Sequence, residues 1–221
     1  MNQDNQVSTG MRSRKEFVTK ILQRRDFDEL RNWANQIRNP LRIMNSLLFD
    51  SDPLTIQRAL EGLGVAAAEV ADSKLKNLRK LVRHFFWTMN DESGNIGWYA
   101  PEAIGEILRS VPKLIVEYGH MLPAFLIEEP FEKGTRIAIG RVAEIDKSCF
   151  NQAAIKKLIQ TLDDPDPYIR GTSIVALKSL GAAEASGQIK ELVDDAEQIE
   201  LYDFVSGEIR NYSVGELADS F

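Results

Sequence analysis

From Trp87 to Glu102 the chain reads Trp-Thr-Met-Asn-Asp-Glu-Ser-Gly-Asn-Ile-Gly-Trp-Tyr-Ala-Pro-Glu, the stretch richest in groups able to do chemistry. It holds two of the three tryptophans (Trp87, Trp98), three carboxylates (Asp91, Glu92, Glu102) and two glycines. Glycine opens backbone conformations closed to other residues, and Asp91, Glu92, Ser93 and Asn95 offer oxygen atoms to backbone donors, a cation or a polar ligand. Glu106 and Arg109 share the face of Glu102 on the following helix, and Glu128-Glu129 comes from the next connection. Such oxygen ligands suit Mg²⁺ or Ca²⁺, although the calcium-loop spacing is absent. On this reading the segment is the centre of a small-ligand or metal-assisted enzyme. The structural reading is a long connection with glycine turns, an Asp or Ser cap, aromatic residues over an apolar edge and Pro101 in a first helical turn.

A second constellation is basic. Lys76, Lys80 and Arg83 recur at helical spacing with Trp87 next along the same face and Arg79 beside it. Clustered cations steer acidic partners and an exposed aromatic anchors them, so this face is expected to contact an acidic protein segment if it lines a concave surface. A solvated helix exterior is the ordinary alternative. His84 and His120 are followed by Phe85 and Met121, with no HExxH, paired His-Glu or Cys cluster to recruit a metal. GxSxG, P-loop and dinucleotide fingerprints are missing as well. No catalytic residue, metal ligand or cofactor is therefore assigned. The single cysteine, Cys149, lies beside Phe150 in an apolar-rich stretch and reads as a small buried hydrophobe.

Composition narrows the partners. The net charge is −6, but residues 1–49 carry nine Lys/Arg against five Asp/Glu, a balance of +4 that leaves −10 for the rest. An acidic body disfavours sequence-independent phosphate binding, so nucleic acid is an unlikely partner. No apolar run approaches the ~20 residues of a membrane span, and the polar N-terminus lacks a signal-like segment. A cytoplasmic protein with no membrane association is expected.

The elements that must position these groups follow a repeat. Leu63-Gly64, Ile104-Gly105, Ile139-Gly140 and Leu180-Gly181 are spaced by 41, 35 and 41 residues, each with a small residue five before the glycine (Ala59, Ala100, Thr135, Ala176). Periods near forty mark two-helix solenoid units. Ser13 to Arg25 reads as a capping helix, followed by Asp26–Ile37 with Leu41–Phe49. Four further pairs are Pro53–Leu63 with Ser73–Asn90, Pro101–Val111 with Lys113–Ile127, Phe131–Asp146 with Asn151–Leu162, and Pro167–Leu180 with Ala182–Val193. Gln198–Tyr212 reads as a hairpin turning at Ser206-Gly207, and Ser213 to Glu216 matches a capping box.

Asp164-Pro165-Asp166-Pro167-Tyr168-Ile169-Arg170, with Ala176-Leu177-Lys178-Ser179-Leu180-Gly181, resembles the repeat unit of phycobilin-lyase-type HEAT-like proteins, and Asp50 to Gly64 is similar. The Trp87–Glu102 stretch also resembles one found in uncharacterised HEAT-like proteins of anaerobic microbes. The resemblance implies a fold and no chemistry. It leads us to expect an all-α protein: a right-handed α-solenoid (an armadillo/HEAT-like superhelix) of about five helix pairs over residues 11–194. A disordered leader (1–10) precedes it and a small β-hairpin cap (195–221) follows. A non-enzymatic scaffold binding another protein is the leading functional expectation. Similarity to HEAT-like alkylpurine glycosylases would instead make the basic stripe a DNA groove, against which the acidic remainder argues.

Overall fold

The computed structural model describes residues 11–90 and 97–221; the expected leader and Asp91, Glu92 and Ser93 lie outside these. The chain is mostly helical, with a small two-stranded antiparallel sheet near its C-terminus. Three helices come first: α1 (Met11–Arg24), α2 (Phe27–Gln36) and α3 (Pro40–Leu47). Asp26 caps α2 by accepting from Glu29 N, and Pro40, which has no N–H to leave unpaired, occupies the first turn of α3.

The long helix α4 (Pro53–Thr88) corrects one expectation, because Pro53–Leu63 and the expected second helix from Ser73, as far as Thr88, are parts of one run. Residues 65–72 are alanine-rich and free of Pro and Gly, so nothing stops the helix between them. Only Lys74 leaves helical geometry (φ −130°, ψ 27°) and bends the run.

α5 (Ala100–Ser110), α7 (Glu132–Asp146) and α9 (Pro167–Leu180) follow α4 in an ordered row, each packing on the one before. The recurring glycine is the crossing point. A Cβ on Gly64 would lie 2.9 Å from the Glu106 carbonyl oxygen, and one on Gly105 only 2.7 Å from Ala138 Cα. At Gly140 the approach relaxes to 3.5 Å, from Ala176 Cα. Gly181 does something different, closing α9 with a left-handed cap at φ 66°.

The second half of α4 and the segments after α5, α7 and α9 form a second layer. The expected helix over Lys113–Ile127 is α6 (Ile115–Tyr118) between 3₁₀ turns at Pro112–Leu114 and Gly119–Ile127. Pro123 removes a donor and Gly119 weakens helix propensity, so a long α-helix cannot propagate there. Phe86 binds this segment to α4 through Tyr118 and Phe125, the latter with ring centroids 5.9 Å apart. α8 (Gln152–Ile159) and α10 (Ser186–Lys190) are short.

β1 (Gln198–Asp203) and β2 (Glu208–Ser213) pair antiparallel from Gln198 opposite Ser213 to Asp203 opposite Glu208, with Gly207 at φ 74° in the turn. Ser213 and Glu216 form the expected capping box of α11 (Val214–Asp219), which packs on α9. No described helix is long and apolar enough to cross a membrane.

Candidate functional site

The face of the helix row that meets the hairpin is built around one arginine. Glu106, a turn after Glu102 on α5, points at Arg141 of α7, whose Nε donates to Glu106 Oε1 at 2.5 Å. Arg141 Nη1 also donates to Glu144 at 2.9 Å, and Arg109 Nε reaches Glu144 Oε2 at 2.9 Å. The Arg141 and Glu106 side chains are only 11% and 4% exposed. Burial raises the Glu106 carboxyl while Arg141 pulls it down, so the guanidinium compensates the buried charge. Above it sits Phe204 of the hairpin, its ring centroid 3.6 Å from Arg141 Cζ.

The hairpin tip is latched to the opposite end of the chain. Arg25 donates to the carbonyl oxygens of Phe204 (2.7 Å) and Val205 (2.9 Å) and to Glu61 (2.8 Å). Glu61 also accepts from the Tyr202 hydroxyl at 2.7 Å. Burial and Glu61 together raise the Tyr202 phenol. Arg58 holds the Gly207 carbonyl and Glu208, at 3.1 and 2.6 Å. Arg25 adopts a left-handed backbone (φ 52°), rare outside glycine, and its side chain fills the space where a Cβ on Gly207 would stand. Between the start of α4, α7, α9 and the hairpin lies a cavity of about 260 Å³. Sequence reasoning missed Arg25, Arg58, Glu61, Arg141 and Tyr202. Only the Ser206-Gly207 turn was legible, because the latch partners are 141–180 residues apart.

Of the acidic alternative, Asp91 and Glu92 lie outside the described residues, and its described members do not form one cluster. Glu106 is taken by Arg141, Glu128 and Glu129 are exposed, and Trp98 is 60% exposed. No group of three His, Cys, Asp or Glu able to hold a metal occurs among the described residues. Glu102 stands apart: its carboxyl lies on Gly134 near Tyr99 and Tyr168, and its buried Oε2 has no hydrogen-bond partner. Burial pushes this acid up to about 7.

The basic stripe is exposed at Lys76, Lys80, Arg83 and Trp87. These residues belong to the second layer beside α6 and not to the row facing the hairpin. The bend at Lys74 puts the two halves of α4 in different layers. Arg79 is not free: it grips Glu117 of α6 through two nitrogens at 2.6–3.0 Å and holds that carboxyl below its usual range. Trp87, 57% exposed, stacks on His84 at 5.8 Å. Cys149 is half-buried and donates to the Asp146 carbonyl, and burial pushes its thiol up to about 11, which leaves it a poor nucleophile.

No family model matches the chain. An uncharacterised protein of Archaeoglobus fulgidus is 31% identical over 147 residues, covering 65% of this chain and 79% of its own length. Among solved structures, the crystal structure of an engineered protein from the Northeast Structural Genomics Consortium superposes with a TM-score of 0.55. It shares 16% identity and covers 96% of this chain and 90% of its own, a likeness of fold alone.

Proposed function

We propose that this chain, which belongs to one family with the uncharacterised Archaeoglobus fulgidus protein, is a HEAT-like right-handed solenoid scaffold that holds an acidic segment of another protein. One observation carries the reading. The arginines around the hairpin are engaged within the fold, whereas Lys76, Lys80 and Arg83 make no ion pair with a described residue and lie beside an exposed Trp87. A cationic stripe ending in an aromatic gives steering and a desolvated anchor at one place. Val116 of α6 (79% exposed) and Ile127 (67% exposed) extend apolar surface along the same layer.

The test is capture of a partner at moderate salt followed by titration of the two purified proteins. Charge reversal at Lys80 and Arg83 should weaken association and flatten its salt dependence, and Trp87→Ala should chiefly hasten dissociation. Full-strength binding by all three folded variants would move the interface elsewhere. Turnover of a small molecule by the chain alone, with no direct protein partner, would favour the enzyme reading.

A further inference from the structure

We propose that the cavity under the C-terminal hairpin is a binding site for a small organic ammonium ion with an apolar body. Its size fits. An apolar cavity of about 150 Å³ holds benzene, so about 260 Å³ admits a six-membered ring with a short charged arm. Ile137, Val175 and Leu201 supply apolar wall, and Tyr168 and Tyr202 supply rings.

The polar lining selects the charge. Thr172 Oγ1 donates to the Tyr168 carbonyl at 2.6 Å and Ser179 Oγ to the Val175 carbonyl at 3.2 Å. Their hydrogens are committed, so both hydroxyls present acceptor lone pairs. Three charged side chains line the cavity: Arg141, Glu144 and Glu200. Arg141 and Glu144 are paired with each other, and Arg141 is further bonded to Glu106 and covered by the Phe204 ring. Glu200 has no ion pair with a described residue. Lys133, whose Nζ lies 5.4 Å from the Tyr168 ring centroid, is paired with Asp166 and leaves this balance unchanged. Acceptors, aromatic faces and one uncompensated carboxylate attract a cation and repel an anion. The site depends on the latch, since β1 and the turn after it supply Leu201, Tyr202 and Phe204.

The experiment uses three ligands of nearly one shape: 2-phenylethylammonium chloride, 2-phenylethanol and phenylacetate. Each is titrated calorimetrically into the full chain at pH 7 and constant ionic strength. The ammonium ion should bind saturably, one per chain, about tenfold tighter than the alcohol, and phenylacetate should be weakest. Glu200→Gln should bring ammonium and alcohol together, and Glu200→Lys, at an exposed position, should reverse the order of ammonium and phenylacetate. Val175→Trp should fill the cavity and abolish binding with an unchanged circular dichroism spectrum. If that variant fails to fold, Ile209→Trp on the hairpin makes the same test. Equal binding of ammonium and alcohol, a preference for phenylacetate, binding that survives both cavity-filling changes, or no binding of any ligand up to about 10 mM would each overturn the proposal.

Discussion

The two layers of the helix stack carry similar charged residues in opposite circumstances. Around the hairpin, Arg58 and Arg141 of the row and Arg25 after α1 are each tied to carboxylates and Arg25 and Arg58 also to carbonyls, with side-chain exposures of 12%, 11% and 20%. In the second layer Lys76, Lys80 and Arg83 face solvent. Where a charge is desolvated, removing its partner leaves an uncompensated ion and the fold suffers. Where it is hydrated, removal costs the fold almost nothing and its consequence is confined to what it meets from outside. The difference teaches which charges hold this molecule together and which remain available to something else.

The sharpest way to break the contrast is Arg141→Met, which strands Glu106. A loss of about 3–5 kcal/mol in urea unfolding is expected, and adding Glu106→Leu should recover most of it, because the cost lies in the unpaired charge. A small loss in the single variant would mean that the pair is hydrated, and the two layers would then be alike.

Glu102 adds a pH axis to the same face. Its folded-state carboxyl is at about 7 against an ordinary 4.5, so between these values the folded chain holds a proton that the unfolded chain has released. Stability therefore falls as pH rises from 4.5 through 7, and the full penalty persists above that. Glu102→Gln should be close to neutral near pH 4.5 and more stable than the parent above pH 7, by on the order of 3 kcal/mol. Parallel stability-versus-pH curves for the two proteins would rule out a buried, unpaired acid.

Packing should show the same division. Gly105→Ala forces α5 away from Ala138 and should cost about 1–3 kcal/mol. Gly187→Ala in α10, where a Cβ meets nothing within 4 Å, should be neutral or slightly stabilising. Equal melting temperatures for the two variants would mean that the helix row is not closely crossed at its glycines.

The smallest expected effect is on the second layer. Charge reversal at both Lys80 and Arg83 should shift unfolding free energy by no more than about 0.5 kcal/mol, measured by thermal denaturation. A larger loss would show that the stripe belongs to the fold, which would remove the ground for assigning it to a partner.

Much of the architecture was written in local chemistry. The glycine period was legible because glycine serves at one position in each unit, as a close helix crossing at Gly64 and Gly105 and as a left-handed cap at Gly181. Ser213 announced a helix start because its hydroxyl accepts from the Glu216 N–H, and Asp52 and Asp166 cap α4 and α9 by the same local chemistry. The hairpin was legible from Ser206-Gly207, since glycine accepts the positive φ of that turn. The Arg170 of the repeat-like motif is local only in part: it donates to the carbonyls of Asp164 and Pro165, but its other nitrogens pair with Asp195, 25 residues on.

Other features were decided only when distant segments met. Nothing near Arg25 foretold the Phe204 carbonyl 179 residues away, and nothing near Glu102 foretold that Gly134 would leave room for its carboxyl. Arg141 and Arg83 look alike along the chain, each a basic residue on an amphipathic helix. The sequence determined the helices, their caps and the spacing of their crossings, because those depend on neighbours within a few residues. The tertiary structure alone decided which charges are buried, which are bare and what the hairpin encloses, because desolvation and long-range pairing belong to the assembled packing and to no single segment.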